Sequence, residues 1–410
     1  MIDVLIIGAG AAGIAAGRRL AATGAQFRIV EAAPRVGGRA RTDIIEGMAI
    51  DFGCGWLHSA DRNPWAALAE AEGREVDRTP PAWRKQFADL GFTADEQKAA
   101  AAALSDFERR LRETPPESDC AADALDPDCP WNAYIEALSR FLNGAPLAAV
   151  SAADYLAFAD ADTGQNWRVP DGYGALIAAA AAGLPISCDT AITEISWDGP
   201  ALRAAGNGGV IEARAAIIAV SSHVIASERL RFTPALPDKV EAATQLPLGF
   251  ADKAYLRLDR PEPFEPDTQL LGDPRAAETG AYYLRPFARP LVECYFGGLL
   301  ARDLEREEGA MAAFATDQLV ALLGSDMRKR LTPFTASRWA REPWIGGAYS
   351  HALPGHVAAR RQLRRPVGER LFFAGEACSD PDYSTAHGAY ETGVAAADAV
   401  IGALAIQPAV

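Results

Sequence analysis

The sequence predicts an α/β fold in two lobes: a Rossmann-like nucleotide-binding lobe on a parallel sheet, and an α+β lobe of antiparallel sheet and helices. Three observations carry this. Gly8-Ala-Gly10-Ala-Ala-Gly13 sits between a short apolar run and an Ala-rich helical stretch. An acid, Glu31, closes the next apolar run about 20 residues beyond the glycines. A chain of 410 residues exceeds one ordinary domain, and its strand texture breaks off near residue 76 to return near residue 186.

Val4 to Ile7 suits a buried parallel strand. Gly8 permits the tight turn, Gly10 lets backbone approach a pyrophosphate, and Gly13 lets helix and strand pack closely. Ala11 and Ala12 open a helix whose first amides and positive dipole end favour an anion. Gln26 to Val30 is the second strand, delivering Glu31 where a carboxylate accepts both ribose hydroxyls. The bland alternative, a glycine-rich turn without a ligand, leaves the placement of Glu31 unexplained. Arg35-Val-Gly37-Gly38-Arg39 then offers a second backbone approach and a guanidinium fork for phosphate oxygens; a structural pairing of Arg39 with Asp51 is the alternative.

From about 76 to 165 the texture is helical. Thr93-Ala-Asp-Glu96 reads as a capping box for a helix running to Pro115-Pro116. Trp131 to Leu142 has helical spacing and a Gly144 stop, and Ser151 starts another helix. This insertion is expected to cover a pocket. Strand texture returns over Ile186 to Trp197 and over Ala215 to Val220, whose unbroken apolar run suggests a central strand. Ala251 to Leu258, Tyr282 to Leu284 and Leu291 to Phe296 read as one antiparallel sheet, and Gly309 to Leu323 as a helix closed by Gly324. Arg370 to Ala374 is a strand feeding, through Gly375-Glu376 and a polar loop, a helix from about Gly388 to Leu404.

Hydrophobic content of 49% and charged content of 23% are those of a globular protein with a sizeable core. The net charge of −14 argues against nucleic acid or an anionic membrane as partner. Asp3 stands where a signal peptide would be basic, and no other apolar run reaches membrane-spanning length. Six cysteines without a CxxC spacing suggest neither a zinc site nor a disulfide framework, so no metal and a reducing cytoplasm are expected.

Taken in order, these motifs resemble the flavin-containing amine oxidase family, the monoamine and polyamine oxidases with their histone-demethylase relatives. The likeness spans nearly the whole chain. Gly8–Gly13 with Glu31 resembles its dinucleotide motif, and Arg35–Arg39 its second phosphate motif. Asp51–His58 followed by Asn63-Pro64 is similar to the polyamine-oxidase form of the flavin-edge loop, and Trp167–Gly174 resembles the stretch before the second nucleotide-contacting strand. Phe232-Thr-Pro234-Ala-Leu-Pro237 resembles the segment leading back into the substrate lobe. Trp339 with Gly346–Ser350, Phe373–Glu376 and His387–Gly393 match the later flavin motifs.

The resemblance implies a glutathione-reductase-like cofactor lobe of residues 1–75, 166–235 and 335–410, and a substrate lobe of 76–165 and 236–334. It implies FAD held by Gly8, Gly10, Ala11, Ala12, Gly13, Glu31, Gly38, Arg39, Gly55, Trp56, Leu57, Ile192, Glu376, Thr385 and Ala386. Ala348 occupies the position where tethered members carry cysteine, implying non-covalent binding. Lys253 matches the lysine that holds a water against flavin N5; a strand lysine among Phe250, Ala254 and Leu256 otherwise needs a partner or an exit to solvent. Lys253 and Tyr349 are the catalytic candidates, and His58, Trp344 and Tyr349 the substrate-binding ones. The position of a second substrate-facing aromatic reads Thr385, which departs from the family, as do Ser221 and Ala33. The activity implied is oxidation of an amine C–N bond to an imine by hydride transfer to the flavin, with dioxygen reduced to hydrogen peroxide. A dehydrogenase or desaturase on the same scaffold, with another acceptor, is the alternative; a flavin-bound assembly module is a third.

Overall fold

A computed structural model describes residues 1–83 and 85–407. The chain opens with β1 (Ile2–Ile7), α1 (Ala11–Ala21) and β2 (Phe27–Val30), followed by the hairpin β3 (Thr42–Ile45) and β4 (Met48–Asp51) and by α2 (Pro64–Ala71). The insertion supplies α3 (Ala94–Glu113), α4 (Asn132–Asn143) and α5 (Ala152–Ala161). Its termini are chemically set. Thr93 and Glu96 form the reciprocal capping box on α3, Gly144 takes a left-handed φ of 65° after α4, and Ser151 Oγ accepts from Asp154 N at 3.1 Å on α5. Leu104, Phe107, Leu111, Tyr134, Ile135 and Tyr155 bury one another in the insertion's own core.

Next come α6 (Tyr173–Ala179), β5 (Ile186–Ser187), β6 (Ile192–Ser196), β7 (Leu202–Gly206), β8 (Gly209–Ile218), α7 (Ser222–Ala226) and β9 (Arg231–Thr233). β1 is central, parallel to β2 on one side (Ile7↔Val30) and to β8 on the other (Ile7↔Ile218). The sheet runs β5-β2-β1-β8-β7-β6-β9. It is mixed, because β7 is antiparallel to both β6 and β8.

The stretch of strand texture over Ile186 to Trp197 is two strands far apart in this sheet, β5 at one edge and β6 next to the other. The chain turns at Asp189, whose φ is 51°, while Asp189 N and Thr190 N donate to the carbonyls of Ala33 and Glu31. The central strand starts at Gly209 rather than Ala215. Its first half is a hairpin arm in which exposed Glu212 and Arg214 mask the apolar pattern.

The remainder comprises α8 (Pro237–Thr244), β10 (Ala251–Leu258), β11 (Thr268–Leu271), β12 (Ala281–Leu284), β13 (Leu291–Gly297), α9 (Gly298–Leu304), α10 (Ala310–Leu323), β14 (Leu331–Ala336), α11 (Ala359–Arg364), β15 (Leu371–Phe373) and α12 (Ala386–Leu404). The antiparallel sheet runs β11-β12-β13-β10-β14. Met311, Ala315 and Leu319 of α10 pack on it against Leu256, Leu270, Tyr282 and Phe296. β15 joins the first sheet beside β8. α1 and α12 lie together on one face of that sheet, over a core with Ile14, Leu20, Trp65, Leu176, Ala397 and Val400. Among the described residues no helix is long and apolar enough to cross a membrane.

Candidate active site

The two glycine turns meet. Gly37 N donates to Ala9 O at 2.8 Å, and a Cβ on Gly38 would stand 3.3 Å from Gly10 Cα. Gly8 has φ 103°, and a Cβ there would meet Ala219 O at 2.5 Å. A Cβ on Gly10 meets nothing nearer than Gly37 O at 4.0 Å, so that cradle is open to a ligand. Ala11 and Ala12 begin α1 at this cradle. Glu31 is buried beside it, accepting from Ala9 N at 2.7 Å and Ala33 N at 2.9 Å. Burial pushes its carboxyl upward, and these amides work against that shift. Ile192 begins β6 just beyond the turn at Asp189 and is buried. An open backbone cradle and helix N-terminus between β1 and α1, with a buried acid beside them at the end of β2, fit a dinucleotide diphosphate and its ribose.

Arg39 does not pair with Asp51. Its Nη1 donates to Ala348 O at 2.6 Å and Glu376 Oε1 at 2.8 Å. Asp51 is instead a stitch, accepting from Thr42 Oγ1 and from the Tyr173 and Gly174 amides. Glu376 also accepts from Ser350 Oγ at 2.6 Å and Ser384 N at 3.1 Å. Burial would raise its pKa; Arg39, Ser350 and Arg360 bring it below the usual carboxylate value. Arg360 ties Ser350 (3.0 Å) to Asp154 of α5 (2.6 and 2.7 Å), so the insertion and Glu376 share one buried network.

The flavin-edge loop is held by paired backbone bonds between Leu57 and Trp167. Trp56 packs edge-on to Trp83 at 4.7 Å and Tyr283 at 6.0 Å, with the Arg168 guanidinium 4.9 Å over its ring. His58 Nδ1 lies 2.6 Å from Asn166 Oδ1, and burial lowers its pKa so that the neutral ring prevails. A Cβ on Gly55 would come within 2.9 Å of Lys253 Nζ, so the loop backbone passes directly against the ammonium.

Lys253 does not reach solvent. It is 7% exposed, and its ammonium pairs with Glu293 at 2.8 Å. Burial alone would lower its pKa; Glu293, Tyr255 and Asp51 more than reverse this, keeping it charged. Lys253 and Glu293 share a cavity of about 30 Å³ with Gly55, Trp56, Tyr283 and Arg289, room for one or two waters.

Tyr349 Oη lies 2.7 Å from Tyr295 Oη, and both hydroxyls reach Phe141 O near the end of α4. The second aromatic beside Tyr349 therefore comes from β13. Thr385 is a helix cap: its hydroxyl donates to Asp382 O at 2.6 Å and accepts from Gly388 N at 3.0 Å, setting the start of α12 at Ala386. The Ala386 carbonyl accepts from Trp65 Nε1. Trp344 is not brought to this group; it packs on the apolar cluster containing Val224 and Ile225, with Arg229 5.9 Å from its ring. Glu293 and Tyr295 were missed as site residues. Strand alternation puts them on one face, opposite Val292, Cys294 and Phe296, and Tyr295 is the register partner of Lys253.

A dinucleotide cradle on a mixed sheet, beside an antiparallel sheet carrying a buried lysine, fits an oxidoreductase that uses a dinucleotide cofactor. The family model described as flavin containing amine oxidoreductase matches residues 81–401, and the NAD(P)-binding Rossmann-like domain matches residues 6–71. The chain belongs to the flavin-containing amine oxidoreductase family and is an FAD-dependent enzyme. It is 29% identical to polyamine oxidase 4 of Oryza sativa subsp. japonica over 97% of this chain and 88% of that one. It is 29% identical to polyamine oxidase 2 of Arabidopsis thaliana over 97% and 87%. Its fold is that of cyclohexylamine oxidase from Brevibacterium oxydans IH-35A (TM-score 0.80, 20% identity, 98% of this chain and 99% of that one) and of putrescine oxidase bound to putrescine (0.79, 18%, 98% and 99%).

Proposed function

We propose that the protein oxidises the C–N bond of a small amine to an imine, using untethered FAD and dioxygen. The observation that carries this is the buried Lys253 ammonium against Gly55 of the flavin-edge loop. The names of the relatives, oxidases of polyamines, putrescine and cyclohexylamine, support an amine as substrate. When bound, FAD accepts a hydride equivalent from the carbon beside nitrogen and passes the electrons to dioxygen, giving hydrogen peroxide.

The chain's own residues bind, orient and desolvate. We assign the ribose to Glu31, the adenine to the Ile192 backbone, and the diphosphate to the Gly10–Gly13 amides, Gly38 and the Arg39 Nη2 and Nε donors. The ribityl chain falls to Glu376, and the pyrimidine edge to the Thr385 and Ala386 amides. Ala348 offers no sulfur for a tether. The Tyr349 and Tyr295 rings wall the substrate space, with hydroxyls turned to Phe141 rather than to a ligand. Such a pocket lowers the pKa of a bound amine and favours the neutral form, whose lone pair assists hydride departure. Lys253 holds a water toward the reacting face.

The lobe division of residues 1–75, 166–235 and 335–410 against 76–165 and 236–334 is part of this reading; the strands of the two larger sheets support it, and β14, ending at Ala336, crosses the proposed boundary. Anaerobic bleaching of the oxidised-flavin band by mono-, di- and polyamines, with peroxide release in air, tests the proposal. Bleaching without peroxide would mark a dehydrogenase, and no bleaching by any amine would sink it.

A further inference from the structure

Lys253 faces a mixed set of charges. Glu293 and Tyr295 approach from β13, Asp51 from the end of β4, Cys54 from the flavin-edge loop, and Tyr255 from its own strand. Arg289 lies beyond Glu293 and binds backbone instead, donating to Ala49 O and Pro170 O. Among these acids only Glu293 touches the ammonium. Asp51 is committed to Thr42, Tyr173 and Gly174. Glu293 is one pair diagonal to Lys253 across the β10–β13 ladder, a spacing that fixes two long side chains from rigid backbone. Its carboxylate is a quarter exposed, whereas the lysine is nearly sealed.

We propose that Glu293 is a positioning residue that clamps the Lys253 ammonium beside Gly55, so that the lysine presents a fixed positive charge to the flavin-edge loop. This rests on the reading of Lys253 as the group nearest the reacting face. A buried ammonium without a counter-ion would neutralise or swing away. With the clamp it does neither, and its donors beyond Glu293 remain free for a cavity water.

The test is the visible spectrum of the oxidised, FAD-loaded protein titrated from about pH 6 to 10 without substrate, so a protein that oxidises no amine still answers it. Wild type should show no ionisation other than that of the flavin's own N3–H at the alkaline end. Glu293→Gln keeps shape and removes the charge; burial then brings the lysine into range, and a new ionisation should perturb the flavin band. The double variant Lys253→Met/Glu293→Gln should lose that ionisation. A yellow Glu293→Gln protein that titrates like wild type overturns the clamp, as does a new ionisation that survives in the double variant. A folded but colourless Glu293→Gln protein assigns the carboxylate to cofactor retention and also overturns it. Should Glu293→Gln not fold, wild type decides: an ionisation in this range that Lys253→Met abolishes shows an unclamped lysine.

Discussion

Arg360 and Asp154 form an ion pair at 2.6 Å with both side chains wholly buried, joining α11 to the helical insertion. The pair is closed on every side: Arg360 lies 3.8 Å over the Tyr383 ring and donates to Ser350, while Asp154 accepts from Ala352 N. Removing one partner leaves a buried charge unmatched, at a cost of about 3–5 kcal/mol. Asp154→Asn should therefore lower the unfolding midpoint strongly. It should also loosen FAD, because Arg360 supports Ser350 and Glu376. Thermal unfolding with flavin release as a second signal checks both; an unchanged midpoint would remove the pair from the stability argument.

Glu31→Ala should weaken FAD retention by roughly tenfold to a hundredfold, the loss of a buried acceptor being worth about 1–3 kcal/mol. Equilibrium titration of apoprotein measures it. In wild type, acid precipitation should release all flavin into the supernatant; colour in the pellet would reveal a tether.

Lys253→Met keeps length and apolar packing while removing the charge. Retained FAD is expected, with flavin reduction by amine, reoxidation by dioxygen, or both slowed about tenfold or more. Stopped-flow traces at wild-type rates would make the lysine structural.

Tyr295→Phe keeps the ring and loses the hydroxyl's contacts to Phe141 O and Tyr349 Oη, neither of which is to substrate, so kcat/KM should fall by less than about threefold. Tyr295→Ala removes the wall and should cost about tenfold or more. Equal losses in the two variants would shift the role from ring to hydroxyl.

Asp382 sits between Arg62 and the His387 ring, accepting from both Arg62 Nη atoms and lying 3.0 Å from His387 Nε2. Burial raises its pKa, but the hydrogen bonds of His387 and Arg62 prevail and bring it down to about 2. The folded value lies below the ordinary 3.8. Its stabilisation is therefore complete at neutral pH and fades as pH falls from near 3.8 toward 2. The Tm gap between wild type and Asp382→Asn should be widest near neutrality and shrink through that acid window. A gap constant with pH would refute the assignment.

Much of this was legible from local chemistry. The glycine turns, Glu31, the Thr93 capping box and the β10 strand are dictated by residues close in sequence. The partners of charged groups were not. Arg39 turns to Glu376, 337 residues away, rather than to Asp51, and Lys253 finds Glu293 only once β10 and β13 are in register. The Thr385 side chain is a cap, bound to Asp382 and Gly388, a role that only the folded geometry of α12 reveals and that leaves its amide for the flavin edge. Trp344, a substrate-binding candidate from sequence, is drawn off by the apolar cluster beside α7.

The close packing of α12 on α1 bears on how the protein is made. A Cβ on Gly393 would stand 2.1 Å from Ala12 O, in the first turn of α1, and β15 adds its edge to β8. A ribosome thus issues the phosphate cradle long before its opposite wall. Until residues 371–404 have emerged, the nascent chain has neither Glu376 nor the α12 amides with which to grip a flavin. Cofactor loading then waits for β15 and α12, and a message cut short before β15 is expected to yield a colourless product, however well its leading segment folds.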